Sequence, residues 1–121
     1  VVEEEGYAAL AFEREVDASR FGDAVRVEQT GVERYLAGRR TSGPFTLVLD
    51  PPRTGMTRDA AAGAVAARAA RVIFVSCDVA TLARDLRRFL DAGYVLDSVQ
   101  GFDLFPNTAH VEALALLSLP S

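Results

Sequence analysis

Two apolar runs constrain this chain most: "PFTLVLD" at 44–50 and "RVIFVSC" at 71–77. Each has the length of a strand and lacks alternation, so each reads as a strand buried on both faces. Between them lies an alanine-rich stretch, 58–70, a good helix former. Thr57 is placed to cap it. Asp78 is placed to cap a second helix, in which Leu82, Leu86, Phe89 and Leu90 share one face and Gly93 closes the end after Asp91. Two further strands follow, within 94–105 and 110–119, joined across 102–109 as a hairpin.

Upstream, Val1 and Val2 read as the end of a strand, and 6–19 as a helix in which Ala8, Leu10, Ala11 and Phe12 recur between charges. "AVRVEQ" (24–29) alternates like a short strand, and "GVERYLAG" (31–38) reads as a short helix stopped by Gly38. Helix and strand alternate up to residue 91, and a strand pair follows. This predicts an α/β fold: a parallel sheet with an antiparallel strand at its end.

Composition sets a few bounds. The chain has 121 residues, half of them hydrophobic, which suits one small domain with a real core. One cysteine excludes an internal disulfide, and one histidine beside it makes a structural zinc site unexpected. No apolar run is long enough to span a membrane, and no secretory signal is evident at the start. The net charge of −4 argues against a domain that grips a nucleic-acid backbone unaided. It leaves room for one that touches a single base.

In parallel sheets ligands bind beyond the carboxyl ends of the strands. An antiparallel last strand begins at that same edge. "DPPRTGM", Cys77 and "DLFPNTAHVE" are therefore expected on one rim. Each has a plain reading as well. A lone cysteine in an apolar strand is commonly a small core residue. Ahead of a helix N-terminus, amides and dipole favour a thiolate instead, while the adjacent Asp78 carboxylate disfavours a second negative charge. "DPP" after a strand serves equally as a strand stop. His110 reads as a structural histidine. Glu112 faces solvent if its strand is an edge, or accepts a proton if it sits at the rim.

Together, "LDPPRTGM", "VSCDVATLARDL" and "DLFPNTAHVEALALL", in this order and at this spacing, resemble the C-terminal part of the S-adenosylmethionine-dependent RNA uracil-5-methyltransferases. That family makes 5-methyluridine in tRNA and ribosomal RNA. The likeness runs over residues 44 to 119 and more weakly over 1–38. It implies a Rossmann-like class I methyltransferase fold, with residues 1–121 as the C-terminal portion of one catalytic domain. It implies Cys77 as the nucleophile toward C6 of the target uracil and Glu112 as the base that takes the C5 proton. Asp50 would lie beside both methyl donor and target base, Pro51, Pro52 and Arg53 would complete that motif, and Glu3 would hold the cofactor ribose. The implied cofactor is S-adenosyl-L-methionine, the implied partner an RNA uridine, with no metal and no membrane, in the cytoplasm.

The sequence departs from the pattern in three places. Asp78 stands where the family usually has asparagine, and Asn107 where histidine or glutamine is common. No G-x-G pattern occurs in the 121 residues. The resemblance therefore implies that the first strand and its glycine-rich loop lie outside this segment. "FTLVLD" is then expected to expose a sheet edge, with self-association through it. The competing expectations are an idle fold remnant serving as an interaction module, and a methyltransferase that uses a "DPP" motif on an amino group without a cysteine nucleophile.

Overall fold

The structure, a computed structural model, describes residues 1–3, 6–38, 42–104, 106–107 and 111–121, with the backbone alone at 7, 9 and 12. It divides into two compact units, Val1–Arg39 and Arg40–Ser121.

In the first unit, β1 (Val2–Glu3) pairs in parallel with β2 (Glu28–Gln29), Val2 opposite Glu28 and Glu3 opposite Gln29. Between them run α1 (Gly6–Ala18) and a 3-10 turn (Gly22–Ala24), and α2 (Val32–Gly38) follows. The β-α-β expectation holds in outline. The strand expected over 24–29 shortens to two ladder residues, because 22–24 are taken into the 3-10 turn. Leu36 is buried here, while Leu10 is exposed.

The second unit is a four-stranded mixed sheet in the order β3-β4-β6-β5. Its strands are β3 (Thr46–Leu49), β4 (Arg71–Ser76), β5 (Val95–Phe102) and β6 (Glu112–Ser118). β3 and β4 are parallel, and β6 is antiparallel to both β4 and β5. The antiparallel strand is thus not at the end of the sheet, as the order of elements suggested. It inserts between β4 and β5, so β3, β4 and β5 all run one way and finish at one edge. A hairpin fixes only that β5 and β6 are neighbours. Which of them meets β4 is decided by packing, and the small, apolar β6 ("EALALLS") suits the interior position better than β5, which carries Asp97 and Gln100.

α3 (Arg58–Ala66) and α4 (Val79–Asp91) make the crossovers from β3 to β4 and from β4 toward β5. Both crossovers step the same way along the sheet, so right-handed connections put both helices on one face. Val72, Phe74, Ala115 and Leu117 of that face are 0, 0, 0 and 1% exposed. Phe74 meets Phe89 of α4 edge to face at 6.3 Å, and Phe89 meets Tyr94 in the same way at 5.3 Å. The opposite face is not covered by this unit's helices. Val48 is 63% exposed there and Leu116 36%. The two apolar runs are therefore buried on one face rather than on both.

The helix ends follow their sequence signals. The Thr57 hydroxyl accepts the Ala60 amide, 3.1 Å, and Asp78 accepts the Thr81 amide, 2.9 Å. α3 ends at Ala66 rather than at residue 70, since Arg68 turns to φ 51°. Gly93, at φ 97°, closes α4: its amide donates to Leu90 and the Tyr94 amide to Phe89. Leu90 turns outward, 37% exposed, and the buried stripe reads Leu82, Asp85, Leu86, Phe89. A carboxylate holds a place in the core stripe that the sequence reading gave to apolar side chains alone.

Candidate active site

The site builds from three strand ends. β3 stops at Leu49, so Asp50 is the first residue beyond it and is exposed. β4 stops at Ser76, and Cys77 follows, half-buried, immediately before the α4 cap residue Asp78. β6 starts at Glu112, also half-buried. Ser76 pairs with Ala113 across the β4-β6 ladder. Continuing that antiparallel register by one position sets Cys77 across from Glu112. Leu49 pairs with Phe74, so Asp50 leaves β3 on the same side. The rim drawn from the element order therefore holds for Asp50, Cys77 and Glu112.

Local hydrogen bonds shape the turn that carries Cys77. The Ser76 hydroxyl donates to the Asp78 carbonyl, 2.9 Å, and accepts the Asp78 amide, 3.1 Å. Cys77 is thus the middle residue of a turn tied at both ends by one buried serine. Asp78 lies below the ordinary aspartate range. The Thr81 amide is the main cause; burial opposes it, and the Thr81 hydroxyl, the Ala80 amide and the Arg53 charge add smaller lowering effects.

The loop after β3 is equally ordered by contacts. Its Gly55 amide donates to the Pro52 carbonyl, 2.8 Å, closing a turn around Arg53 and Thr54. Gly55 takes φ 79°, which an L side chain rarely adopts. The Met56 amide donates to Asp85, 2.8 Å. Arg84 donates to the carbonyls of Thr54, 3.1 Å, and Met56, 3.3 Å, and to Asp85. The Thr81 hydroxyl shares its hydrogen between the carbonyls of Arg53, 3.1 Å, and Asp78, 3.2 Å. Pro51 is half-buried and Arg53 exposed.

Ser76, Thr81, Arg84 and Asp85 were missed as parts of this site by sequence reasoning. A signal for Asp85 was present: an aspartate inside the stripe Leu82-Asp85-Leu86-Phe89, flanked by Arg84 and Arg88. Glu3 belongs to the first unit, where it ends β1. His110 lies outside the described residues, as does part of the 102–109 loop.

The second unit is thus a mixed α/β sheet whose strand ends bring a cysteine and two carboxylates to one rim, the edge at which open α/β sheets bind ligands. The family model for tRNA (uracil-5-)-methyltransferases matches residues 26–119, most of the chain. The chain belongs to that family. It is 45% identical over 95 residues to an uncharacterized RNA methyltransferase of Streptomyces coelicolor, covering 78% of this chain and 21% of that protein. With an uncharacterized RNA methyltransferase of Streptomyces avermitilis it shares 40% over 116 residues, 96% of this chain and 24% of the other. Its fold resembles the crystal structure of Pyrococcus abyssi tRNA (uracil-54, C5)-methyltransferase in complex with S-adenosyl-L-homocysteine. The TM-score is 0.73 at 25% identity, over 96% of this chain and 27% of that one. The chain thus spans about a fifth to a quarter of the relatives it matches.

Proposed function

We propose that the protein containing this chain transfers a methyl group from S-adenosyl-L-methionine to C5 of a uridine in RNA, with Cys77 as nucleophile and Glu112 as general base. The observation that carries this reading is the Ser76–Ala113 register, which, continued by one position, brings residue 77 opposite residue 112 at the end of β4. Membership of the family and the fold likeness support it.

The chemistry explains why these two groups are needed together. C5 of uracil is a weak carbon nucleophile. Attack of the Cys77 thiolate forms an Sγ–C6 bond and pushes the C5–C6 electron pair into an enolate. C5 then takes the methyl group. Glu112 removes the C5 proton, the electron pair restores the C5–C6 double bond, and Cys77 leaves as thiolate. The uracil must leave its stack to reach this rim. Asp50, Pro51 and Arg53 line the same edge and would contact the base.

S-adenosylmethionine suits the acidic groups at the strand ends. Glu3 ends a parallel strand with a carboxylate, the donor type that holds ribose hydroxyls in such folds. Glu3 in the first unit and Asp50 in the second are each carboxylates of the type that would hold the cofactor, which supplies the methyl group when bound. Residues 1–121 are then the C-terminal portion of one catalytic domain, acting on RNA in the cytoplasm.

The test uses the longer protein and tRNA or ribosomal RNA transcripts carrying 5-fluorouridine. Fluorine at C5 cannot leave as a proton, so the methylated RNA stays bonded to the cysteine. With S-adenosylmethionine present, intact-mass spectrometry is expected to find that adduct on the wild type and none on Cys77→Ala. No adduct with any of these RNAs would favour the idle remnant. Methylation that survives Cys77→Ala would favour transfer to an amino group.

A further inference from the structure

Between α4 and the loop after β3 there is a joint that the reaction just described does not use directly. Asp85 is completely buried, 0% exposed, inside an otherwise apolar stripe. Burying a carboxylate costs free energy unless it is paired and hydrogen-bonded. Here every ligand it takes is specific. One oxygen, Oδ2, accepts the Met56 amide, 2.8 Å. The other, Oδ1, accepts Nε and Nη2 of Arg84, 3.1 and 3.0 Å, and Nη1 of Arg88, 3.4 Å. Arg84 goes on to grip the carbonyls of Thr54 and Met56. A core leucine at position 85 would pack the helix as well, but it could not hold the loop.

The result is a mechanical link between two catalytic segments. α4 begins two residues after Cys77, and its side chains at 81, 84 and 85 bond the backbone of residues 53, 54 and 56. That backbone follows directly on Asp50, Pro51 and Pro52. Gly55 completes the fit: a Cβ there would lie 2.7 Å from Asp85 Oδ2, so only glycine lets the loop come this close.

We propose that Asp85 and Arg84 are positioning residues, which fix the Asp50–Arg53 segment against the helix that follows Cys77. This rests on the methyltransferase reading above. In this role they act through the loop rather than on the base. Their effect falls on the covalent step, where a displacement of about 1 Å costs on the order of 100-fold in rate, and reaches cofactor affinity only through Asp50.

The test again uses the longer protein. Arg84→Lys keeps the charge on an exposed stem but loses the fork that spans two carbonyls and a carboxylate. Asp85→Asn keeps the size but presents an amide hydrogen to donors. Two readouts are taken: the single-turnover rate of adduct formation on 5-fluorouridine RNA at saturating RNA and S-adenosylmethionine, and hydrogen exchange at the Met56 amide. The expected result is a rate at least about tenfold lower in Arg84→Lys at saturating S-adenosylmethionine, with the protein still folded at the assay temperature. Met56 should exchange slowly in the wild type and faster in Asp85→Asn. An Arg84→Lys rate within twofold of wild type at saturating S-adenosylmethionine overturns the proposal, as does fast Met56 exchange in the wild type. If Asp85→Asn does not fold, Arg84→Lys decides alone. Wild type that forms no adduct but protects Met56 overturns the methyltransferase reading, and the positioning role falls with it, although the joint itself stands.

Discussion

Ser76 and Ala113 face each other across the β4-β6 ladder, thirty-seven positions apart in sequence. The residue just beyond β4 is Cys77, and the first residue of β6 is Glu112. A thiol and a carboxylate separated by a helix, a strand and a loop thereby come to opposite positions of the extended register. The inserted β6 makes this possible. With β5 in its place beside β4, Glu112 would sit one strand further from the thiol, beyond easy reach of a base bonded to it.

Replacing Glu112 by glutamine separates bond formation from release. The substitution is isosteric at a half-buried strand start, so the fold is expected to persist. In the longer protein, turnover on ordinary uridine RNA should fall by a factor of roughly 100 to 10,000. The methylated RNA should accumulate as a covalent species visible by denaturing gel. Full turnover would remove Glu112 from the base's role.

Gly55→Ala forces a side chain into a left-handed backbone position, at about 1–2 kcal/mol, and pushes it against Asp85 Oδ2 and Arg84 Nη2. Arg84 can swing outward, but Asp85 is held in the core. The expected loss of stability exceeds the backbone cost alone, roughly 2–4 kcal/mol by chemical denaturation. A loss under about 1 kcal/mol would mean that the loop is free to move away.

Asp78 gives stability an acid limb. Its carboxylate is held below the ordinary aspartate value chiefly by the Thr81 amide. A depressed value means that the charged form favours the folded state. That contribution is present above the unfolded-state value of about 4 and is lost as pH falls through the lower folded value. Asp78→Asn retains a good capping side chain without the charge. The melting temperatures of the two proteins should differ by a constant amount from neutral pH to about 5 and then converge as acid is added. A constant offset down to about pH 2 would contradict the assignment.

Tyr94 sets the opposite limb. Its ring meets Phe89 edge to face, and its hydroxyl donates to the Ala69 carbonyl at 3.0 Å. Burial raises its pKa above the ordinary tyrosine value, with Arg68 opposing. Stability from the neutral phenol is therefore complete below about 10 and fades as pH rises through the folded value. Tyr94→Phe keeps the ring contacts and leaves a carbonyl unpaired, for a loss of about 1–2 kcal/mol at neutral pH. It should also flatten the alkaline decline in melting temperature. Identical decline in both proteins would place its cause elsewhere.

β3 is an edge strand of its four-stranded sheet, and its Val48 is 63% exposed. The 121-residue chain by itself is expected to self-associate through this edge. Sedimentation velocity should show mass rising with concentration, and Val48→Arg should suppress it. A monomer at all concentrations, with the fold intact, would refute the expectation.

Much of this was legible in the sequence because its causes are local. Strand length and apolar content marked β3 and β4, and the capping roles of Thr57 and Asp78 followed from side chains that accept amides two or three residues on. Gly93 had to close α4, since that closure needs a positive φ. The motifs also placed Asp50, Cys77 and Glu112 at element ends, the only positions where strand residues meet a ligand. The misses have a shared cause. Leu90 was counted into the core, and Asp85 out of it, because periodicity ranks positions by hydrophobicity and does not see a partner. Asp85 can be buried only because the Met56 amide and Arg84 arrive from elsewhere to satisfy it.

The sequence by itself determined the element types and the caps at Thr57, Asp78 and Gly93, since these depend on neighbours within a turn or two. Only the tertiary structure decided that α3 would stop at Ala66, that β6 would lie between β4 and β5 and so bring residue 112 into register with residue 77, and that a buried aspartate would tie the Arg53–Met56 backbone to α4. Those outcomes depend on which distant surfaces fill space and satisfy charge together, and no short stretch of this chain contains both partners.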